Sequence, residues 1–181
     1  EIAGIEALQG AFRDGDDIHA LTASQVFGIP LEEVTNEKRR QAKAVNFGII
    51  YGISGFGLAK QLGCSPGEAN TFIRNYLDRF HELRDWIDRT KDFARAHGYV
   101  ETLFGRRIHV PGIGDKNAAR RNFAERQAIN APLQGTAADI MKRAMIRVPS
   151  ALVEKGLQAK LLLQVHDELV LDVPVAEIAA T

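Results

Sequence analysis

A single cysteine, Cys64, excludes an intramolecular disulfide and a multi-cysteine zinc site. It fits a reducing compartment, where a lone thiol serves as small core filler. Neither sign of charge is in excess: 23 Lys plus Arg offset 23 Asp plus Glu, so bulk electrostatics give no argument for nucleic acid. Any basic surface must come from local clusters such as Lys38 to Arg40 with Lys43, Arg106 with Arg107, and Arg120 with Arg121. No apolar run approaches the length of a membrane helix, and the N-terminus lacks the basic-then-apolar layout of a signal peptide, so no membrane partner is expected and cytoplasmic is the default. The glycine-rich run Gly52-Ile53-Ser54-Gly55-Phe56-Gly57 matches neither a dinucleotide fingerprint nor a P-loop. His81-Glu82 opens like a zinc-protease motif, but Asp85 stands where the second histidine is needed.

What is present is centred on Arg39 to Gly52. As a helix this stretch puts Arg39, Lys43, Phe47 and Tyr51 at steps of four on one stripe, cations near the start and rings near the end. Thr35 is placed to cap it and Glu37 to face its positive end. Cations one turn apart near a helix N-terminus suit a polyphosphate, and the rings beyond suit a sugar and a base. Gly48 and Gly52 lie on the neighbouring stripe, where glycine costs a helix about 1 kcal/mol relative to alanine and calls for a close approach as its reason. Standing alone, a basic amphipathic helix is most often a solvated face over a core.

Apolar spacing predicts a helix over Ile2 to Phe12 ended by Gly15, and a second, capped by Asp16 or Asp17, running past His19 to Gly28. The glycines after Gly52 read as a hinge before a short helix through Leu58 to Leu62. Ser65-Pro66-Gly67-Glu68 predicts a capping box, and Phe72, Ile73, Tyr76, Leu77 and Phe80 a buried stripe. Leu83, Trp86, Ile87 and Phe93 mark a further helix ended by Gly98, with Trp86 in the core. Tyr99 to Leu103 and Arg107 to Val110 read as a hairpin around Gly105. From Asp115 to Gly156 the pattern is helical, with a break or kink expected at Pro132. Arg126, Asn130 and Gln134 are spaced by four across it, and Ile140, Met141, Ala144 and Met145 are expected to pack beneath. The last unit is a hairpin over Ala159 to Val173 whose arms are expected to be largely buried. Its tip, His166-Asp167-Glu168, has no glycine or asparagine of the kind a tight turn prefers, and such breaks of local rule are where function is often found.

Arg-x-x-x-Lys followed by Asn-Phe-Gly-x-x-Tyr-Gly resembles the nucleotide-binding helix of family A DNA polymerases, the bacterial DNA polymerase I type. Gln164-Val165-His166-Asp167-Glu168-Leu169-Val170 resembles that family's metal-binding hairpin. Further likenesses are Asp17-Ile18-His19 with Val26-Phe27-Gly28, Thr102 to Arg107, and Ala128 to Asp139. Together they extend over nearly all 181 residues.

The resemblance implies template-directed DNA polymerisation: transfer of a deoxynucleotide to a primer 3′-hydroxyl with two Mg²⁺ ions in the complete enzyme. It implies that His19, Arg39 and Lys43 hold the triphosphate, that Phe47 lies against the sugar and that Tyr51 lies near the templating base. Lys43 is the candidate proton donor to pyrophosphate. Asp167 is the metal ligand, Glu168 an accompanying acid and His166 a primer-side group. Arg106, Arg107, Arg126, Asn130 and Gln134 are the expected DNA contacts. Phenylalanine at position 47 goes, in the family, with discrimination against dideoxynucleotides.

The expected fold is α+β, with a mostly helical fingers portion over residues 1–98 containing the nucleotide helix 36–52. A palm portion over residues 99–181 carries the antiparallel metal-binding hairpin 159–173. Partners expected are primer-template DNA and deoxynucleoside triphosphates, with the protein a monomer serving replication or repair. The family's other metal-binding aspartate lies upstream of the segment that Glu1 to Phe12 resembles, so the 181 residues are expected to be an excerpt with little or no activity alone. A single-subunit RNA polymerase shares the Arg-Lys-Tyr-Gly helix pattern, although Glu168 after His166-Asp167 favours the DNA enzymes. A nucleotide- or nucleic-acid-binding module without catalysis is the alternative from another class.

Overall fold

The computed structural model describes residues 2–181 as seven α-helices and two small antiparallel hairpins. The first helix, α1 (Glu6–Asp14), stops at Gly15, whose φ of 76° is the left-handed value that glycine adopts without strain. Asp17 caps α2 (Ile18–Phe27) by accepting from the backbone N–H groups of His19 and Ala20. The central helix, α3 (Asn36–Ile50), is capped by Thr35, with Glu37 in its first turn. It ends two residues before the expected Gly52 because Gly52, at φ 71°, turns the chain back. Its N–H bonds to Ile49 O and that of Ile53 to Gly48 O, the two hydrogen bonds of a Schellman close. Gly48 has its reason here: a Cβ there would lie 3.1 Å from the Ile53 side chain, which folds down onto the helix.

Ser54 caps α4 (Gly55–Leu62), and the Ser65–Glu68 capping box opens α5 (Pro66–Arg79) as the sequence predicts. α6 (His81–His97) ends at Gly98 and leads into β1 (Tyr99–Glu101), which pairs with β2 (Arg107–His109). α7 (Ala118–Glu154) runs unbroken for 37 residues with Pro132 and Pro149 inside it, contrary to the expected interruption. The Pro132 ring is buried, so packing offsets the hydrogen bond that proline cannot donate. β3 (Lys160–Val165) and β4 (Glu168–Asp172) form the second hairpin, with a register irregularity between Leu161 and Leu163.

Two clusters hold the molecule together. The larger gathers Val45 and Ile49 of α3 with Leu58, Tyr76, Phe80, Leu83, Trp86, Ile87 and Ile129. Each fully buried aliphatic side chain of this kind contributes roughly 1.5–3 kcal/mol. The smaller gathers Ala94, Val100, Val110, Ile113, Ala124 and Ala128. α7 therefore reaches into both, through Ile129 on one side and Ala124 and Ala128 on the other.

Two burial expectations fail. The arms of the second hairpin are not largely buried: Leu162 is 60% and Leu163 50% exposed, because β3 and β4 pair only with each other and the hairpin leans on α7 chiefly through β3. Ile140 of α7, expected to pack beneath, is 54% exposed. The hydrophobic pattern marked these faces as apolar correctly, but the described residues contain nothing that covers them.

Candidate active site

Along α3 the two neighbouring stripes divide as their chemistry requires. Ala42, Val45, Asn46 and Ile49 face inward, and Arg39, Lys43, Phe47 and Tyr51 all remain exposed on the outer face. The rings of Phe47 and Tyr51 stack at 6.2 Å between centroids, and the Lys43 ammonium lies 5.9 Å from the Phe47 ring centre. α2 packs alongside and brings His19 within 5.9 Å of the Phe47 ring. The five residues assigned to the nucleotide thus share one surface.

Charge on this surface is already organised. The Arg39 guanidinium is ion-paired to Asp17, whose carboxyl is held below its ordinary value, chiefly by the hydrogen bond from Arg39. The same carboxylate caps α2 beneath His19, so one acid fixes both the histidine's helix and the arginine's direction. Burial and then the positive charge of Arg39 lower the pKa of His19, Asp17 opposes them, and Lys43 adds a smaller push in the lowering direction. The imidazole is therefore neutral near pH 7. Its Nδ1 lies 3.1 Å from the Asn46 amide nitrogen. Asn46 is not among the residues assigned from sequence. The available signal was a poor helix former held between Val45 and Phe47 on the buried stripe.

The second group of assigned residues lies along α7. Arg126 and Gln134 are exposed and Asn130 is partly buried, its Oδ1 having no hydrogen-bond partner among the described residues. Arg106 and Arg107 at the first hairpin divide in role. Arg107 stays largely exposed, its guanidinium 4.6 Å from the Tyr99 ring centre and its Nε 3.1 Å from Glu101. Arg106 instead turns to α7, donating to Asp139 Oδ1 at 2.8 Å and to Gly135 O at 2.9 Å. Thr102 and then Arg106 hold the Asp139 carboxyl below its usual value. Gly135 admits this contact, since a Cβ there would sit 2.7 Å from Ile108 Cδ1.

The third group is the tip of the β3–β4 hairpin. A two-residue turn, His166-Asp167, joins Val165 to Glu168. His166 has φ 54°, a positive value found at no other non-glycine position among the described residues. Gln164 braces the turn by donating from Nε2 to His166 O at 2.7 Å. Asp167 and Glu168 are exposed, and among the described residues neither is ion-paired to a base. Two free adjacent carboxylates fit Mg²⁺, which takes one or two carboxylates and completes its shell with substrate phosphates and water. No group of three or more His, Cys, Asp or Glu among the described residues could cage an ion unaided.

Comparisons with known proteins give the family. The model of DNA polymerase family A matches residues 1–181. The chain belongs to DNA polymerase family A. It is 55% identical over 174 residues to DNA polymerase I of Rhizobium leguminosarum, covering 95% of this chain and 17% of that one. With DNA polymerase I of Pseudomonas aeruginosa it shares 55% over 172 residues, covering 95% of this chain and 19% of the relative. The chain thus spans less than a fifth of either relative's length. Among solved structures, the POL domain of Pol1 from M. smegmatis, in complex with DNA primer-template and dNTP, superimposes with a TM-score of 0.88 at 46% identity. That match covers 94% of this chain and 30% of the other. The family A fold is therefore present here as mostly helical structure with small antiparallel sheets. Among the described residues no helix is long and apolar enough to cross a membrane.

Proposed function

We propose that this chain is the nucleotide-binding and metal-binding part of a template-directed DNA polymerase that adds deoxynucleotides to a primer 3′-hydroxyl. The observation that carries the reading is the exposed stripe Arg39, Lys43, Phe47 and Tyr51, joined on its own surface by His19 from a neighbouring helix. Cations at one end and stacked rings at the other match a triphosphate joined to a sugar and base. Arg39 and Lys43 bind the phosphates, and His19 adds a hydrogen bond. Phe47 lies against the sugar, and Tyr51 lies near the templating base. Lys43 also gives a proton to the departing pyrophosphate.

Asp167 is the metal ligand of this chain, with Glu168 beside it and His166 on the primer side. Bound there with the substrate phosphates, Mg²⁺ would stabilise the attacking and leaving oxygens. Arg107, Arg126, Asn130 and Gln134 contact primer-template DNA, and Arg106 assists from its place between the hairpin and α7. Residues 1–98 serve as a fingers portion and 99–181 as a palm portion of a monomeric, cytoplasmic enzyme of replication or repair.

The test is primer extension with Mg²⁺ by the full-length polymerase and its Asp167→Asn variant. Loss of extension by several orders of magnitude with primer-template binding retained supports the reading. Undiminished extension in the variant overturns the metal assignment. Binding without extension by the unaltered protein replaces the polymerase with a binding module.

A further inference from the structure

Asn46 is 5% exposed in the middle of α3, where a buried amide must satisfy its polar atoms. Its Oδ1 lies 3.1 Å from the Thr22 hydroxyl and its Nδ2 3.1 Å from His19 Nδ1, so both partners sit on α2. An amide nitrogen can only donate, so Nδ1 of His19 accepts. Among the described residues Nε2 makes no hydrogen bond. We propose that Asn46 is the positioning residue of the nucleotide surface, holding the His19 ring through Nδ1 so that Nε2 carries the proton and donates it in a hydrogen bond to a triphosphate oxygen. Resting on the polymerase reading, this adds to it a residue that touches neither nucleotide nor DNA.

Several features of the surface agree. A neutral imidazole has one N–H, and an acceptor role at Nδ1 assigns that N–H to Nε2. Arg39 and Lys43 of α3 and Asp17 at the start of α2 are the charged groups that face the ring, and the two cations oppose its protonation. Asn46 directly precedes Phe47, so the residue that aims the histidine is tied to the backbone that presents the ring against which His19 rests. Asn46 is thus a bolt between α2 and α3 with its far end set on a ligand-binding group.

The experiment is a double-mutant cycle in the full-length polymerase, reading KM for the incoming deoxynucleotide and kcat for primer extension. Asn46→Ala should raise KM about five- to tenfold, the loss of one hydrogen bond, with kcat little changed. In a His19→Ala background the same substitution should change KM no further. Asn46→Asp keeps the shape but accepts from Nδ1, so Nε2 can donate only while the ring is imidazolium, at pH below the ring's pKa. KM should then recover relative to alanine and rise with pH as the ring loses its proton. Additive effects of His19→Ala and Asn46→Ala, or equal losses in kcat and kcat/KM, would overturn the inference. So would an Asn46→Asp variant no better than alanine. Failure of the unaltered protein to extend primers overturns the polymerase reading and this inference together, whereas normal extension with additive losses overturns this inference alone.

Discussion

Gly135→Ala sets two magnitudes against each other at the point where α7 meets the first hairpin. Alanine is favoured over glycine inside a helix by about 1 kcal/mol, so the change would stabilise an open position. Position 135 is closed: the new Cβ would lie 2.7 Å from Ile108 Cδ1, 2.8 Å from Thr102 Cγ2 and 3.3 Å from Arg106 Nη2. Thr102 is buried and cannot retreat, because its hydroxyl accepts from the backbone N–H groups of Phe104 and Arg106. Overpacking of this kind costs about 1–3 kcal/mol, leaving a net destabilisation of up to about 2 kcal/mol. The control is Gly10→Ala in α1, where no atom lies within 4 Å of the added Cβ and the gain of about 1 kcal/mol should be realised. Thermal and urea unfolding of the polymerase domain carrying each variant should therefore give shifts of opposite sign at unchanged m-value. If Gly135→Ala proves as stabilising as Gly10→Ala, the packing of α7 on the hairpin is not as described.

Asp17→Asn should preserve the cap of α2, since asparagine caps as well as aspartate, while removing the charge that holds Arg39. A two- to fivefold lower KM for deoxynucleotide at low salt, fading as salt rises, is expected on the order of a surface ion pair, and a KM unchanged at every salt would refute it. Phe47→Tyr should raise the ratio of dideoxy- to deoxynucleotide incorporation, and an unaltered ratio would remove Phe47 from the sugar. The Asp17 pKa is lowered on folding, so its contribution to stability is present above the ordinary carboxyl value of 3.8 and is lost as pH falls through the lowered one. His19 acts in the same direction at higher pH: its pKa is also lowered on folding, so the unfolded chain binds the proton more readily and stability declines as pH drops below 6.5. Acid-unfolding curves of Asp17→Asn and His19→Phe against the unaltered protein separate the two.

Local signals carried far in this chain, and the failures have a common cause. Thr35, Ser65 with Glu68, and the terminators Gly15 and Gly98 stand where the sequence predicts them, because each acts within one turn of its own helix. The Arg39 to Tyr51 stripe was legible for the same reason. At Pro132 no break occurs, since the local penalty of a proline says nothing about the burial that offsets it. Arg106 and Arg107 are indistinguishable neighbours in sequence, yet Asp139 and Gly135, some thirty residues on, draw only Arg106 inward. Asn46 went unassigned because its partners Thr22 and His19 lie on another helix. Each miss depends on a contact between elements.

Gly52 shows how one residue can serve both kinds of contact. Its φ of 71° closes α3 directly after Tyr51, so any other residue there would strain the turn that ends the proposed nucleotide stripe. A side chain at the same position would crowd α7, since a Cβ would lie 3.2 Å from Arg126 Cγ and 3.5 Å from Ile129 Cδ1. Arg126 opens the row that continues through Asn130 to Gln134, and Ile129 anchors α7 in the core that Val45 and Ile49 share. The end of the proposed nucleotide helix and the start of the proposed DNA-contacting row are thus packed backbone to side chain, with no spacer between them. Movement of Tyr51 must then displace Arg126 or open the contact at Gly52. The bare glycine is what lets two separately encoded helices act as one surface.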